Sequence, residues 1–141
     1  MENIPPQSPI PLEQKEKISL RILIADDQEM LRDMLATQLQ SMGHIVDIVS
    51  DGRELVNKLT SEYNCDFVIT DFEMPKMNGL QAFEAVRKIE KYKNLPFLIV
   101  TGNPYGLEDE MTKKNLVVPY LDKPYGEDQL SAKIEELRTK S

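Results

Sequence analysis

The sequence predicts an α/β fold, a five-stranded parallel sheet doubly wound by helices in a (βα)5 arrangement, and two observations predict it. From Ile18 onward, short apolar runs rich in β-formers alternate with longer segments whose apolar residues recur at helical spacing. The alternation repeats five times, which implies mostly parallel strands joined by crossover helices that cover both faces of the sheet. No internal repeat is visible.

The elements follow in order. Residues 1–17, MENIPPQSPIPLEQKEK, hold four of the nine prolines, little apolar periodicity and a charged end. They read as a disordered or extended arm, a leader without a role of its own in preference to a docking peptide. The domain runs from 18 to 141. Its strands are LRILIA (20–25), HIVDIV (44–49), DFVIT (66–70), PFLIVT (96–101) and a weaker VPYL (118–121). In the first helix, EMLRDMLATQLQSM, the spacing sets Met30, Leu31, Met34, Leu35 and Leu39 on one face, and Gly43 stops it. GRELVNKLTSE groups Leu55, Val56 and Leu59; LQAFEAVRKIEKY groups Leu80, Phe83, Val86 and Ile89; GEDQLSAKIEELRTK groups Leu130, Ile134 and Leu137. The fourth helix, within GLEDEMTKKN, has the weakest pattern, with Pro104 and Gly106 crowding its start.

Composition removes several classes of function. At 141 residues the chain suffices for one core of ordinary size. A single cysteine, Cys65, makes no internal disulfide, and no apolar run is long enough for a membrane span or a signal region, so an intracellular, cytoplasmic protein without membrane attachment is expected. A net charge of −7 and the lack of a basic stripe argue against nucleic acid as a partner.

Open parallel sheets bind ligands beyond the carboxyl ends of their strands. Strand one ends in Asp26 and Asp27, strand three in Asp71, strand four in Thr101 and strand five in Lys123, followed by Pro124. Each has an ordinary reading: Asp26 or Asp27 as a helix N-cap, Asp71 as the start of a turn in DFEMPKMNG, Thr101 as a β-branched strand residue, Lys123 as a surface lysine. Together, three carboxylates, a hydroxyl and an ammonium at one sheet edge are the inventory of a phosphoryl-transfer site. Clustered carboxylates repel one another unless a cation sits among them, and hard oxygen ligands suit Mg²⁺ or Mn²⁺. Phosphoryl transfer needs cations and donors around the equatorial oxygens and an in-line nucleophile, for which Asp71 is the natural choice.

The segment from Leu20 to Arg138 resembles the receiver domain of two-component response regulators. The resemblance is carried by Asp26-Asp27 after strand one, Asp71 in ITDFEMPKMNGL, Thr101 in IVTGN and Lys123-Pro124 in PYLDKPY. It implies the flavodoxin-like strand order 2-1-3-4-5. It also implies Mg²⁺-dependent transfer of a phosphoryl group to Asp71 from a sensor histidine kinase or histidine phosphotransfer protein. Metal ligation falls to Asp27, Asp71 and the Glu73 carbonyl, with Asp26 holding coordinated water. Thr101 and Tyr120 become a switch pair, and the Lys123–Pro124 bond, often cis in receivers, aims the lysine amine into the site. Glu73 and Asn103 are placed to tune the lifetime of the phosphoryl group, and without metal Glu73 is expected to pair with Lys123. Gly102, Pro104, Gly106 and Pro119 depart from the common receiver pattern and point to an unusual signalling face. With no output domain after helix five, a stand-alone receiver acting on a downstream protein target is expected. Two rivals are an aspartyl-phosphate phosphohydrolase and a receiver-like module that is never phosphorylated. The dehalogenase-type hydrolase carries D-x-D after strand one, where this chain has DDQ, and an unphosphorylated module usually lacks a site residue, whereas all are present here.

Overall fold

A computed structural model describes residues 18–140; the arm expected over 1–17 lies outside the described residues. Five strands form one parallel sheet: β1 (Arg21–Ala25), β2 (Ile45–Val49), β3 (Phe67–Asp71), β4 (Phe97–Thr101) and β5 (Tyr120–Asp122), in the order β2-β1-β3-β4-β5. The intervening helices are α1 (Glu29–Ser41), α2 (Gly52–Thr60), α3 (Gly79–Arg87), α4 (Pro104–Lys114) and α5 (Glu127–Arg138).

The apolar strand runs are continuous because both faces of the sheet are covered, and the two-residue period of a strand sends alternate side chains to each side. Ile22 and Ile24 of β1, Phe67 and Ile69 of β3, and Leu98 and Val100 of β4 pack with Leu35 and Leu39 of α1 and Leu130 and Ile134 of α5. On the other side Leu23, Val68, Phe97 and Ile99 pack with Leu55 and Leu59 of α2, Leu80 and Val86 of α3 and Leu107 of α4. Phe83 and Phe97 meet edge to face with ring centroids 5.2 Å apart.

Four expectations are refined. The inward stripe of α1 is Leu35, Ala36 and Leu39, whereas Met30 and Met34 are 76% and 55% exposed and Leu31 is also exposed. Periodicity identifies an apolar face but not what it meets, and the first turns of α1 border an open groove. α3 stops at Arg87, and a 3-10 turn (Glu90–Tyr92) follows, bringing Tyr92 into the core, where its hydroxyl donates to the Tyr63 carbonyl at 2.7 Å. α4 starts two residues before the expected segment. Pro104 occupies its first turn, where no intrahelical N–H is needed, and the Asn103 carboxamide oxygen caps it by accepting from Gly106 N–H at 3.1 Å. β5 begins at Tyr120, directly after Pro119, on the edge of the sheet, where proline is tolerated. The stop at Gly43 holds, with φ at +96°, a left-handed conformation that glycine adopts without steric cost.

Candidate functional site

Parallel pairing brings all five carboxyl ends to one edge, and β1 and β3 lie side by side where the crossover direction reverses. Ala25 is opposite Thr70, Asp71 opposite Val100 and Thr101 opposite Asp122, so the residues that end these strands gather in one crevice. Asp26, Asp71 and Thr101 are buried, Lys123 is half-buried and Asp27 is exposed.

Neither aspartate of the pair caps α1. Its N-cap is Gln28, which forms no side-chain cap, and Asp26 Oδ1 instead accepts the Gln28 N–H at 2.9 Å. Asp71 Oδ1 accepts the Phe72 N–H at 2.8 Å, and Lys123 Nζ lies 3.4 Å from that oxygen and 3.7 Å from Asp26 Oδ2. The expected pairing of Glu73 with Lys123 is therefore not formed: Glu73 is exposed, and the ammonium sits between the two buried carboxylates, which attract it more strongly because they are less screened. Burial pushes the Asp71 carboxyl up; Lys123 pulls it down and Asp26 pushes it up again, leaving it at about 6.

Carboxylate oxygens of Asp26, Asp27 and Asp71 lie within 4.8 Å of one another. An all-oxygen set with two buried members and one facing water suits a hard divalent cation that keeps several waters, so the residues fit Mg²⁺. Lys123 N–H donates to the Thr101 carbonyl at 2.8 Å, Thr101 Oγ1 accepts the Asn103 N–H at 2.8 Å, and the Lys123–Pro124 peptide is cis. Tyr120 is half-buried against the α2–α4 side of the core, and its hydroxyl donates to the Glu108 carboxylate.

The structure adds residues that sequence reasoning missed. Arg32 Nη1 reaches the Asp26 carbonyl at 3.4 Å and Ser50 Oγ at 3.3 Å, joining α1 to the ends of β1 and β2. Asp51 caps α2 through the Glu54 N–H at 2.8 Å and lies 3.7 Å from Lys76 Nζ. The D-x-x-E spacing at Asp51 and Glu54 was the available signal; Arg32 had none. A Cβ on Gly79 would stand 2.4 Å from the Asp71 carbonyl oxygen, so only glycine lets α3 start this close to the acceptor strand.

The family model of the response regulator receiver domain matches residues 22–135. The CAI-1 autoinducer sensor kinase/phosphatase CqsS of Vibrio cholerae is 33% identical over 89% of this chain, which spans only 18% of that protein. The chemotaxis protein CheY homolog of Campylobacter jejuni is 30% identical over 84% of this chain and 92% of its own length. Among solved structures, the response regulator TrrA of Thermotoga maritima in complex with Mg²⁺-BeF superposes with a TM-score of 0.73 at 31% identity, covering 83% of this chain and 97% of that one.

Proposed function

Because the chain belongs to the response regulator receiver family, whose members act as phospho-acceptors in signalling, we propose that Asp71 takes a phosphoryl group from the phosphohistidine of a sensor histidine kinase or histidine phosphotransfer protein. One observation carries the assignment. The Asp71 carboxylate ends β3 with the Lys123 ammonium 3.4 Å away and two further carboxylates within 4.8 Å.

In the reaction an Asp71 oxygen attacks phosphorus, the N–P bond of the donor breaks with its electron pair returning to the imidazole, and an acyl phosphate forms on Asp71. Lys123 turns from the carboxylates to a phosphoryl oxygen, and the Thr101 hydroxyl donates to another. Asp27, Asp71 and the Glu73 carbonyl would hold Mg²⁺, Mn²⁺ being the alternative, with the Asp26 carboxylate beside them. When bound, the cation neutralises charge among the carboxylates and on the phosphoryl oxygens. Solved relatives support this: TrrA carries Mg²⁺-BeF, a phosphoryl mimic. Glu73 and Asn103 flank the path of the water that hydrolyses the acyl phosphate.

The donor must bring its histidine over this edge. There the exposed Leu31 and Met34 line a groove of about 400 Å³ together with Asp26, Leu35, Lys123 and Tyr125, and the exposed Met30 lies beside Met34 on the neighbouring surface of α1. An apolar surface continuous with the acceptor site suits the donor protein. Among the described residues no helix is long and apolar enough to cross a membrane; a cytoplasmic site of action is part of this proposal, as is a downstream protein target.

Incubation of the full chain with Mg²⁺ and a small phosphodonor such as acetyl phosphate, followed by intact mass measurement, tests the reading. One phosphoryl adduct, absent from Asp71→Asn, is expected. Rapid donor turnover without an adduct would identify a phosphohydrolase, and no reaction at all would identify an unphosphorylated binding module.

A further inference from the structure

Thr101 and Tyr120 are joined by a circuit that runs through α4 as well as through the sheet. Thr101 Oγ1 accepts the Asn103 N–H, Asn103 caps α4 at Gly106, and on the next turn the exposed Glu108 carboxylate accepts the Tyr120 hydroxyl. β5 closes the circuit: Tyr120 is opposite Ile99, and Lys123 N–H returns to the Thr101 carbonyl at 2.8 Å. The far end of α4 is fixed separately, by Lys114 Nζ at 2.6 Å from Glu84 Oε1 of α3, while Leu107 anchors its inner face in the core. The polar contacts at the start of α4 thus fall on the two residues that the phosphorylated site draws upon.

We propose that Glu108 is a positioning residue, a latch on α4 that holds the Tyr120 hydroxyl out and thereby limits how readily the acceptor site is occupied. The latch rests on the reading of Asp71 as acceptor and of Thr101 with Tyr120 as its switch. A phosphoryl group that claims the Thr101 hydroxyl frees space beside β5, and Tyr120 enters that space only by giving up its bond to Glu108. The bond is charge-assisted and stronger than one to a neutral acceptor. The phenol's pKa is pushed up to about 12, first by this hydrogen bond, in keeping with a hydroxyl that donates to a carboxylate. A contact present in only one of two states shifts the equilibrium toward that state, and ligands selecting the other bind more weakly by the same factor.

The test is beryllofluoride binding to the full chain in Mg²⁺, followed by titration calorimetry. Glu108→Ala should bind about three- to tenfold more tightly than the parent, Tyr120→Phe should gain similarly, and the double variant should bind no more tightly than Tyr120→Phe alone. Glu108→Gln, which retains an acceptor oxygen, should gain less than the alanine variant. The latch is overturned if Glu108→Ala binds like the parent, if its gain is undiminished in the Tyr120→Phe background, as a general charge effect requires, or if glutamine and alanine gain equally. A parent that fails to bind beryllofluoride overturns the acceptor reading itself, and the latch with it.

Discussion

Burial outweighs the pull of Lys123 at Asp71, and with Asp26 alongside, the carboxyl sits at about 6 against an ordinary value of 3.8. The folded protein therefore binds this proton at pH values where the unfolded chain has released it. Asp71 thus costs no stability below about pH 4, and the cost grows until it is complete above about pH 6. Asp71→Asn keeps the Phe72 N–H bond through its amide oxygen and removes that cost. Metal-free, the variant should be more stable than the parent at pH 7.5 by on the order of 2 kcal/mol, less what water at the rim screens. The gain should vanish toward pH 4; urea unfolding at several pH values measures it, and a pH-independent difference would refute the assignment. Glu73 and Asn103 act at the next step. Glu73→Ala and Asn103→Ala should change the rate at which label is lost in excess Mg²⁺ by more than about threefold, roughly 0.7 kcal/mol in the barrier, with Asp71 still labelled. Asn103→Ala should also cost about 1 kcal/mol of stability, since its side chain caps α4. Decay curves that superimpose on the parent's would remove both side chains from hydrolysis.

Among the elements, α1 and α4 show why some of the molecule was legible in the sequence and some was not. The period of α1 correctly reports an apolar face, but period carries no information on distance from the core, so exposed Met30 and Met34 look the same as buried Leu35 and Leu39. At α4, Pro104 resembles an interruption until Asn103 is seen to cap the helix, when it becomes a start signal. The residues that end the strands gather as expected because a parallel sheet delivers every strand's carboxyl end to one edge whatever the loops do. The contacts of Arg32 with Ser50 and of Glu108 with Tyr120 join residues whose spacing obeys no rule, and only the folded chain reveals them. The exposed part of α1 makes a prediction separable from chemistry. Met30→Glu and Met34→Glu should slow transfer from a phosphorylated donor protein at least about tenfold, as loss of a well-buried interface contact does. Labelling by acetyl phosphate, which needs no docking surface, should stay within about twofold of the parent. Equal loss with both donors would place these residues in the site's integrity instead.

The whole molecule is arranged so that two well-packed layers hold three carboxylates closer together than they would lie in water. The core stabilises the fold regardless of what occupies the crevice, whereas the crowded carboxylates carry a cost that Lys123 offsets only in part and that a bound divalent cation would offset further. A cation that binds only the folded chain would stabilise it by mass action, about 1.4 kcal/mol at ten times its dissociation constant. For a domain of this size the thermal midpoint should rise by roughly 3–6 °C in millimolar Mg²⁺ at pH 7.5. Asp27 is exposed, so Asp27→Ala leaves both layers intact and should abolish most of that rise without lowering the metal-free midpoint. Protons compete for the same oxygens: with the Asp71 carboxyl at about 6, the Mg²⁺ response should shrink as pH falls from 7 to 5. Calorimetric scans of parent and variant, with and without Mg²⁺ at both pH values, check all three statements. A Mg²⁺ response that survives Asp27→Ala undiminished would show that the cation binds elsewhere on this acidic chain, and the ligand assignment would fail even if Asp71 were still phosphorylated.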